Sequence, residues 1–199
     1  SCSNRAPSVP PMPMRWEFRP HVDRANPILA LIGSPTELTK LQSDRLESQS
    51  GVDLITVDDP ASDVSQLLSR LRASAEVGKT VIGIRTTSRD GSAPDPLHAS
   101  QMLTLIIDLA VECADSMQLD GIYASGGDVA FAVLDALGAR GYEVENEVVP
   151  LAVSGKLVGG PHDGLGFATK GGLVGDADAA VECINQLRSR IRQSEPRIV

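Results

Sequence analysis

ILALIGSPTELTKLQ, residues 28–42, decides how the rest of the chain is read. Its first five residues are all apolar, a short run suited to a strand buried on both faces. Gly33 ends the run. Ser34 can cap a helix, Pro35 suits the first helical position, and Glu37 completes a capping box. The unit is strand, bare corner, helix, and strands go on alternating with helices along the chain. DLITV (53–57) reads as a second strand, followed by a helix with Val64, Leu67, Leu68, Leu71 and Ala75 on one face. TVIGI (80–84) is a third strand, and residues 86–96 form a polar loop. Residues 99–116 predict a long, mostly buried helix whose Gln101, Thr104, Asp108, Glu112 and Asp115 make one narrow wet stripe. GIYA (121–124) is a strand, SGGD a loop, and residues 129–137 a helix stopped near Gly138. YEVENEVVP reads as extended, LGFAT (165–169) as the last core strand, and residues 177–191 as the last helix. Strands alternating with helices predict an α/β fold, a three-layer sandwich with a largely parallel or mixed sheet flanked by helices. No internal repeat is visible.

Two regions follow from this reading: a Pro-rich arm or linker over residues 1–27, carrying Trp16 and Phe18, and a domain over 28–199. With 42% apolar and 22% charged residues the chain reads as soluble and globular, large enough to bury a core. Its net charge of −8 argues against a nucleic-acid or anionic-membrane partner, since both reward clustered Lys and Arg. ATP stays compatible with that charge, because backbone N–H groups and a divalent ion can hold it. Cys2, Cys113 and Cys183 fit neither a disulfide framework nor zinc spacing, and the last two read as small core residues. No signal peptide and no membrane-length apolar run stand out, so a cytoplasmic location is the expectation.

Chemistry is expected at three strand-to-helix junctions: Gly33-Ser34, Ser125-Gly126-Gly127-Asp128, and the run from Lys170 through Gly171 and Gly172 to Gly175. In an open α/β sheet such corners sit at the carboxyl ends of strands, where ligands bind. The helix after each corner offers unpaired N–H groups and a positive dipole end. Lys170 would add a mobile positive charge. Each corner alone also reads as an ordinary tight turn, and the case rests on their coincidence. VGKT (77–80) follows a helix and precedes a strand, the reverse of a P-loop. His21, His98 and His162 show no metal spacing, His162-Asp163 reads as a surface turn, and Asp58-Asp59 as a turn before a helix. No metal-ligand set and no catalytic residue is assigned.

The stretches ILALIGSPTELTKLQ, YASGGDVAFAVLDALGARGYEVENEVVP and SGKLVGGPHDGLGFATKGGLVGD resemble the C-terminal, nucleotide-binding domain of the four-carbon acid sugar kinases. The resemblance runs from about Ile28 to about Arg192 and is most specific from Ser125 to Gly175. It implies a role in moving the ATP γ-phosphoryl group, with Mg²⁺, to a hydroxyl of a sugar acid such as threonate, erythronate or a 3-oxo-tetronate. Gly33 and Ser34 would border the nucleotide, with Thr39 and Gln42 in a supporting segment. Gly126, Gly127 and Asp128 would form the family's glycine-glycine-acid loop. Lys170, Gly171, Gly172 and Gly175 would form its C-terminal loop, with Glu147 in the acidic segment before Pro150. Val174 stands where phenylalanine is usual, and Leu151 where glycine commonly follows proline.

The family's Asp-Asp-x-Thr-Gly motif, which implies the sugar-acid site and the catalytic carboxylate, has no counterpart in these residues. The chain therefore reads as a domain cut from a kinase, or as half of a two-chain one, with little activity alone. The expected partners are ATP, a four-carbon sugar acid held by an N-terminal domain absent here, and, left open, a second copy of the chain. A degenerate nucleotide- or metabolite-sensing module without catalysis is the alternative. A dinucleotide-dependent oxidoreductase is disfavoured, because no G-x-G-x-x-G follows the first strand.

Overall fold

The computed structural model describes residues 25–33, 36–87 and 95–194. Trp16, Phe18, His21, Cys2, Ser34, Pro35 and most of the 86–96 loop lie outside the described residues. One seven-stranded sheet forms the middle layer, in the order β2-β3-β1-β4-β7-β6-β5. Its strands are β1 (Ile28–Ile32), β2 (Val52–Val57), β3 (Val81–Thr86), β4 (Gly121–Ser125), β5 (Gly141–Val149), β6 (Ala152–Val158) and β7 (Gly166–Lys170). The strands β2, β3, β1, β4 and β7 run parallel, and β6 and β5 complete the sheet antiparallel. The expected α/β sandwich is the observed fold.

Period-two alternation divides the core between two faces. Leu29, Leu31, Ile82, Ile84, Ile122 and Ala124 meet the buried sides of α2 (Val64–Glu76), α3 (Pro96–Ser116) and α4 (Gly127–Ala136). Ile28, Ala30, Ile32, Val81, Tyr123 and Ala168 face Leu46 of α1 (Glu37–Glu47) and Ala180, Cys183, Ile184 and Leu187 of α5 (Ala179–Ser194). All five residues of β1 are buried, as a central parallel strand requires. The wet stripe expected on α3 is exposed from Gln101 to Asp115. By length and composition alone α3 could cross a membrane, which the expectation of no such run had missed. Met102, Leu105, Ile106, Leu109, Ala110 and Cys113 instead pack its inner side on the sheet.

Four details differ from the sequence reading. Thr36 rather than Ser34 caps α1, its side-chain oxygen accepting from the Thr39 N–H, and Glu37 is the first helical residue. The SGGD segment is not all loop, since α4 already begins at Gly127. The long helix starts at Pro96, one residue after its Asp95 cap. β6 was not anticipated: it is the return strand of a hairpin with β5, and of its buried residues Ala152, Ser154, Gly155 and Leu157 only the last is large, so alternation hardly shows.

That hairpin turns at Pro150 and Leu151, and Leu151 sits at φ 65°, the one non-glycine residue in the left-handed region among those described. Its Cβ crowds the main chain there, and its side chain is 79% exposed, so little packing compensates. Leu151→Gly is expected to raise stability by about 1 kcal/mol, read as a higher urea midpoint at unchanged slope.

Candidate functional site

Three adjacent parallel strands end side by side: Ile32 of β1 pairs with Ser125 of β4, and Ser125 pairs with Lys170 of β7. The corners that follow are stitched together by main-chain hydrogen bonds, Gly33 N–H to the Ser125 carbonyl at 3.3 Å and Gly126 N–H to the Lys170 carbonyl at 3.0 Å. Topology thus brings Gly33, the 125–128 segment and the 170–175 segment to one rim. Glu147 stands near it in β5, and its carboxylate accepts from the Leu151 N–H at 3.4 Å.

The middle corner differs from the starts of α1, α2 and α3. Side chains cap α1 (Thr36), α2 (Asp63) and α3 (Asp95), each satisfying N–H groups of the first turn. The N-cap of α4 is Gly126, at φ 112° and ψ 131°, and no side chain caps it. Only glycine takes that backbone conformation without strain. The first-turn amides of α4 are left facing the rim with the positive end of the helix dipole. Asp128 is exposed in that turn. Gly127 is different: a Cβ added to it would meet nothing within 4 Å, so the fold makes no demand for glycine there.

Gly33 is held to glycine by packing. A Cβ there would come within 2.5 Å of Val129 Cγ2 and 2.9 Å of Ile106 Cδ1. Beside it, between α3 and α4, lies a cavity of about 390 Å³. Met102, Leu103, Ile106 and Val129 give it an apolar lining, and Thr86, His98 and Asp128 a polar edge.

Lys170 is not the mobile surface cation expected from sequence. It is 2% exposed, on the α1/α5 face of the sheet, and its ammonium donates to the Gly171 carbonyl at 2.9 Å. Burial pushes its pKa below the ordinary lysine value. Close by, the hydroxyls of Ser125 and Tyr123 are buried with no partner at ordinary hydrogen-bond distance. The two lie on one face of β4 and interact with each other, beneath a corner where no side chain caps the first-turn amides. Such a set suits a polyanion.

The loop after β7 is fastened from α1. Gly172 O accepts from the Thr36 and Thr39 hydroxyls, each at 2.9 Å. Gln42 Nε2 donates to the carbonyls of Val174 at 2.9 Å and Asp176 at 2.6 Å. Thr39, Gln42 and Ser43 are buried, so α1 turns a polar face inward where an apolar one is usual. Sequence alone does not distinguish this inward polar face from one turned to solvent, and only the contacts with the loop show that it is a clamp. Val174, where the resemblance implies phenylalanine, packs half-buried against the α1/α5 core.

The remaining candidates are structural. Burial pushes the thiols of Cys113 and Cys183 up, to about 12 and about 11, so both are inert core thiols at neutral pH. His162 pairs with Asp115 at 3.1 Å, while Asp163 accepts from the Gly159 N–H in the turn. Asp59 accepts from the Ala61 N–H in a turn that precedes the Asp63 cap of α2.

Comparison with known proteins identifies the family. A family described as "Nucleotide-binding C-terminal domain" matches residues 29–180. The D-erythronate kinase of Heliobacterium modesticaldum is 35% identical over 199 aligned residues, covering 87% of this chain and 44% of that protein. The D-threonate kinase of Salmonella typhimurium is 27% identical over 173 residues, covering 75% of this chain and 40% of that protein. A Bordetella bronchiseptica crystal structure with bound citrate, a domain-swapped dimer, superposes with a TM-score of 0.71 at 26% identity, over 82% of this chain and 41% of that one. The chain spans less than half the length of each of these relatives. It belongs to the four-carbon acid sugar kinase family, as that family's C-terminal nucleotide-binding domain.

Proposed function

We propose that the chain holds ATP–Mg²⁺ at the carboxyl-end rim, as the nucleotide half of a kinase acting on a four-carbon sugar acid. Gly33, Gly126, Gly127, Asp128, Lys170, Gly171, Gly172 and Gly175 would surround the phosphates. Ser34, outside the described residues, joins them by its place in the motif. The observation that carries the reading is the uncapped start of α4 at Gly126, set between two glycine corners on neighbouring strands. Free amides at a helix N-terminus attract phosphate. The nucleoside would lie along the apolar cavity between α3 and α4. Bound ATP would supply the transferable phosphoryl group, and the protein's part is to fix it and screen its charge.

Asp128 supports a metal-bound nucleotide. A carboxylate in the first turn of α4 repels bare phosphate and favours phosphate carrying a divalent ion. Asp128→Asn is expected to weaken ATP binding about tenfold with Mg²⁺ present and to leave it unchanged or tighter in EDTA. Isothermal titration in the two buffers reads this directly, and equal effects in both would remove the metal role.

The acceptor would come from a second, N-terminal domain carrying the catalytic carboxylate, in a cytoplasmic enzyme. Phe131 in α4, Leu151 at the hairpin turn and Leu173 beyond β7 are exposed at this rim, an apolar edge suited to covering by such a half. ATP titration of the chain alone tests the nucleotide half. Activity on a panel of four-carbon acids, with and without an added N-terminal half from a relative, tests the rest.

A further inference from the structure

The polar clamp on α1 sets the direction of amides as well as the position of a loop. In a trans peptide unit the C=O of one residue and the N–H of the next point in opposite directions. The carbonyls of Gly172, Val174 and Asp176 all turn toward α1, held by Thr36, Thr39 and Gln42. The N–H groups of Leu173, Gly175 and Ala177 must therefore turn away from α1. None of the three has a hydrogen-bond partner among the described residues. Leu173 and Gly175 are exposed, and Gly175 takes φ 77°, which lets the main chain reverse within the loop. Amides at alternate positions aimed to one side can together hold an anion, as oriented main-chain N–H groups do elsewhere.

We propose that Thr39 and Gln42 are positioning residues for phosphate: by fixing three loop carbonyls they aim the Leu173, Gly175 and Ala177 amides at the nucleotide's phosphate chain. The inference rests on the ATP-binding reading above and names residues that would never touch the ligand. The geometry is specific. Gln42 spends both amide hydrogens on the loop, and its Oε1, buried with no partner, adds nothing else. Thr39 gives its hydroxyl to Gly172 O from a position 2% exposed.

The test is competition of ATP, inorganic tripolyphosphate and adenosine against one fluorescent ATP analogue, with melting temperatures recorded alongside. The variants are Thr39→Val, Thr39→Ser and Gln42→Leu. Valine keeps the shape of threonine and loses the donor, and serine restores the donor. The expected result is about tenfold weaker competition by ATP and tripolyphosphate in Thr39→Val and Gln42→Leu, with adenosine unchanged and Thr39→Ser near wild type. Equal losses for ATP and adenosine would mean general loosening and would overturn the proposal. So would wild-type affinities in the folded variants. Should wild-type protein itself fail to compete for ATP, the nucleotide reading fails first, and the result is distinguishable because no variant is involved.

Discussion

Gly127→Ala is expected to make the protein more stable and to abolish most of its ATP binding. Gly127 opens α4 with ordinary helical geometry, and a methyl group there would touch no other atom of the protein. Alanine is a better helix former than glycine, so stability should rise by up to about 1 kcal/mol. A phosphate oxygen accepting from a first-turn amide comes within about 2.9 Å of nitrogen, and a Cβ beside that amide obstructs the approach. We expect ATP affinity to fall by at least about tenfold, or ~1.4 kcal/mol. Thermal unfolding and calorimetric titration of the same sample read both changes. Higher stability with unchanged affinity would mean that the glycine only begins a helix.

Lys170→Met should cost more. Burial already disfavours the ammonium, and methionine fills similar space with no charge to desolvate. Stability is therefore expected to hold at neutral pH or rise slightly. ATP loses a charged hydrogen bond in a low-dielectric corner, about 1.5–3 kcal/mol, which is roughly a 10- to 150-fold weaker complex. The pH dependence carries a second signature. The folded pKa lies below the ordinary lysine value of 10.5, so between the two the unfolded chain binds more protons. Wild-type stability should then rise with pH across that window while ATP affinity falls as the ammonium is lost. In Lys170→Met both slopes should vanish. Affinity within about threefold of wild type, an order-of-magnitude threshold, would assign Lys170 to the loop's own architecture.

Much of this fold is legible in the sequence because its parallel strands are short, mostly apolar runs. ILALI, DLITV and TVIGI each stand out between turn residues, and Leu67, Leu68 and Leu71 mark α2 at helical spacing. β6 is hidden because three of its four buried positions are alanine, serine and glycine, and Leu157 alone is too little to announce a buried face. At the candidate site the glycine corners were visible, and register places them on adjacent strands. The state of Lys170 was not. A lysine ending an apolar strand reads as exposed, whereas the structure buries it on the α1/α5 face of the sheet, near Cys183. The role of Thr39 and Gln42 was equally hidden, since a polar helix face signals solvent until its partner, a loop more than 130 residues later, is known.

The central claim is that phosphate is held by main-chain amides at the carboxyl ends of β1, β4 and β7. A ¹⁵N–¹H titration of the labelled chain with ATP–Mg²⁺ tests it most directly. Saturable shifts are expected for the amides of residues 126–129 and 171–177, with Gly127 and Gly175 among the largest. No shifts at millimolar nucleotide would contradict the account. Shifts gathered instead around Arg72, Lys79 and Thr80, at the hollow on the opposite end of the sheet, would do so as well.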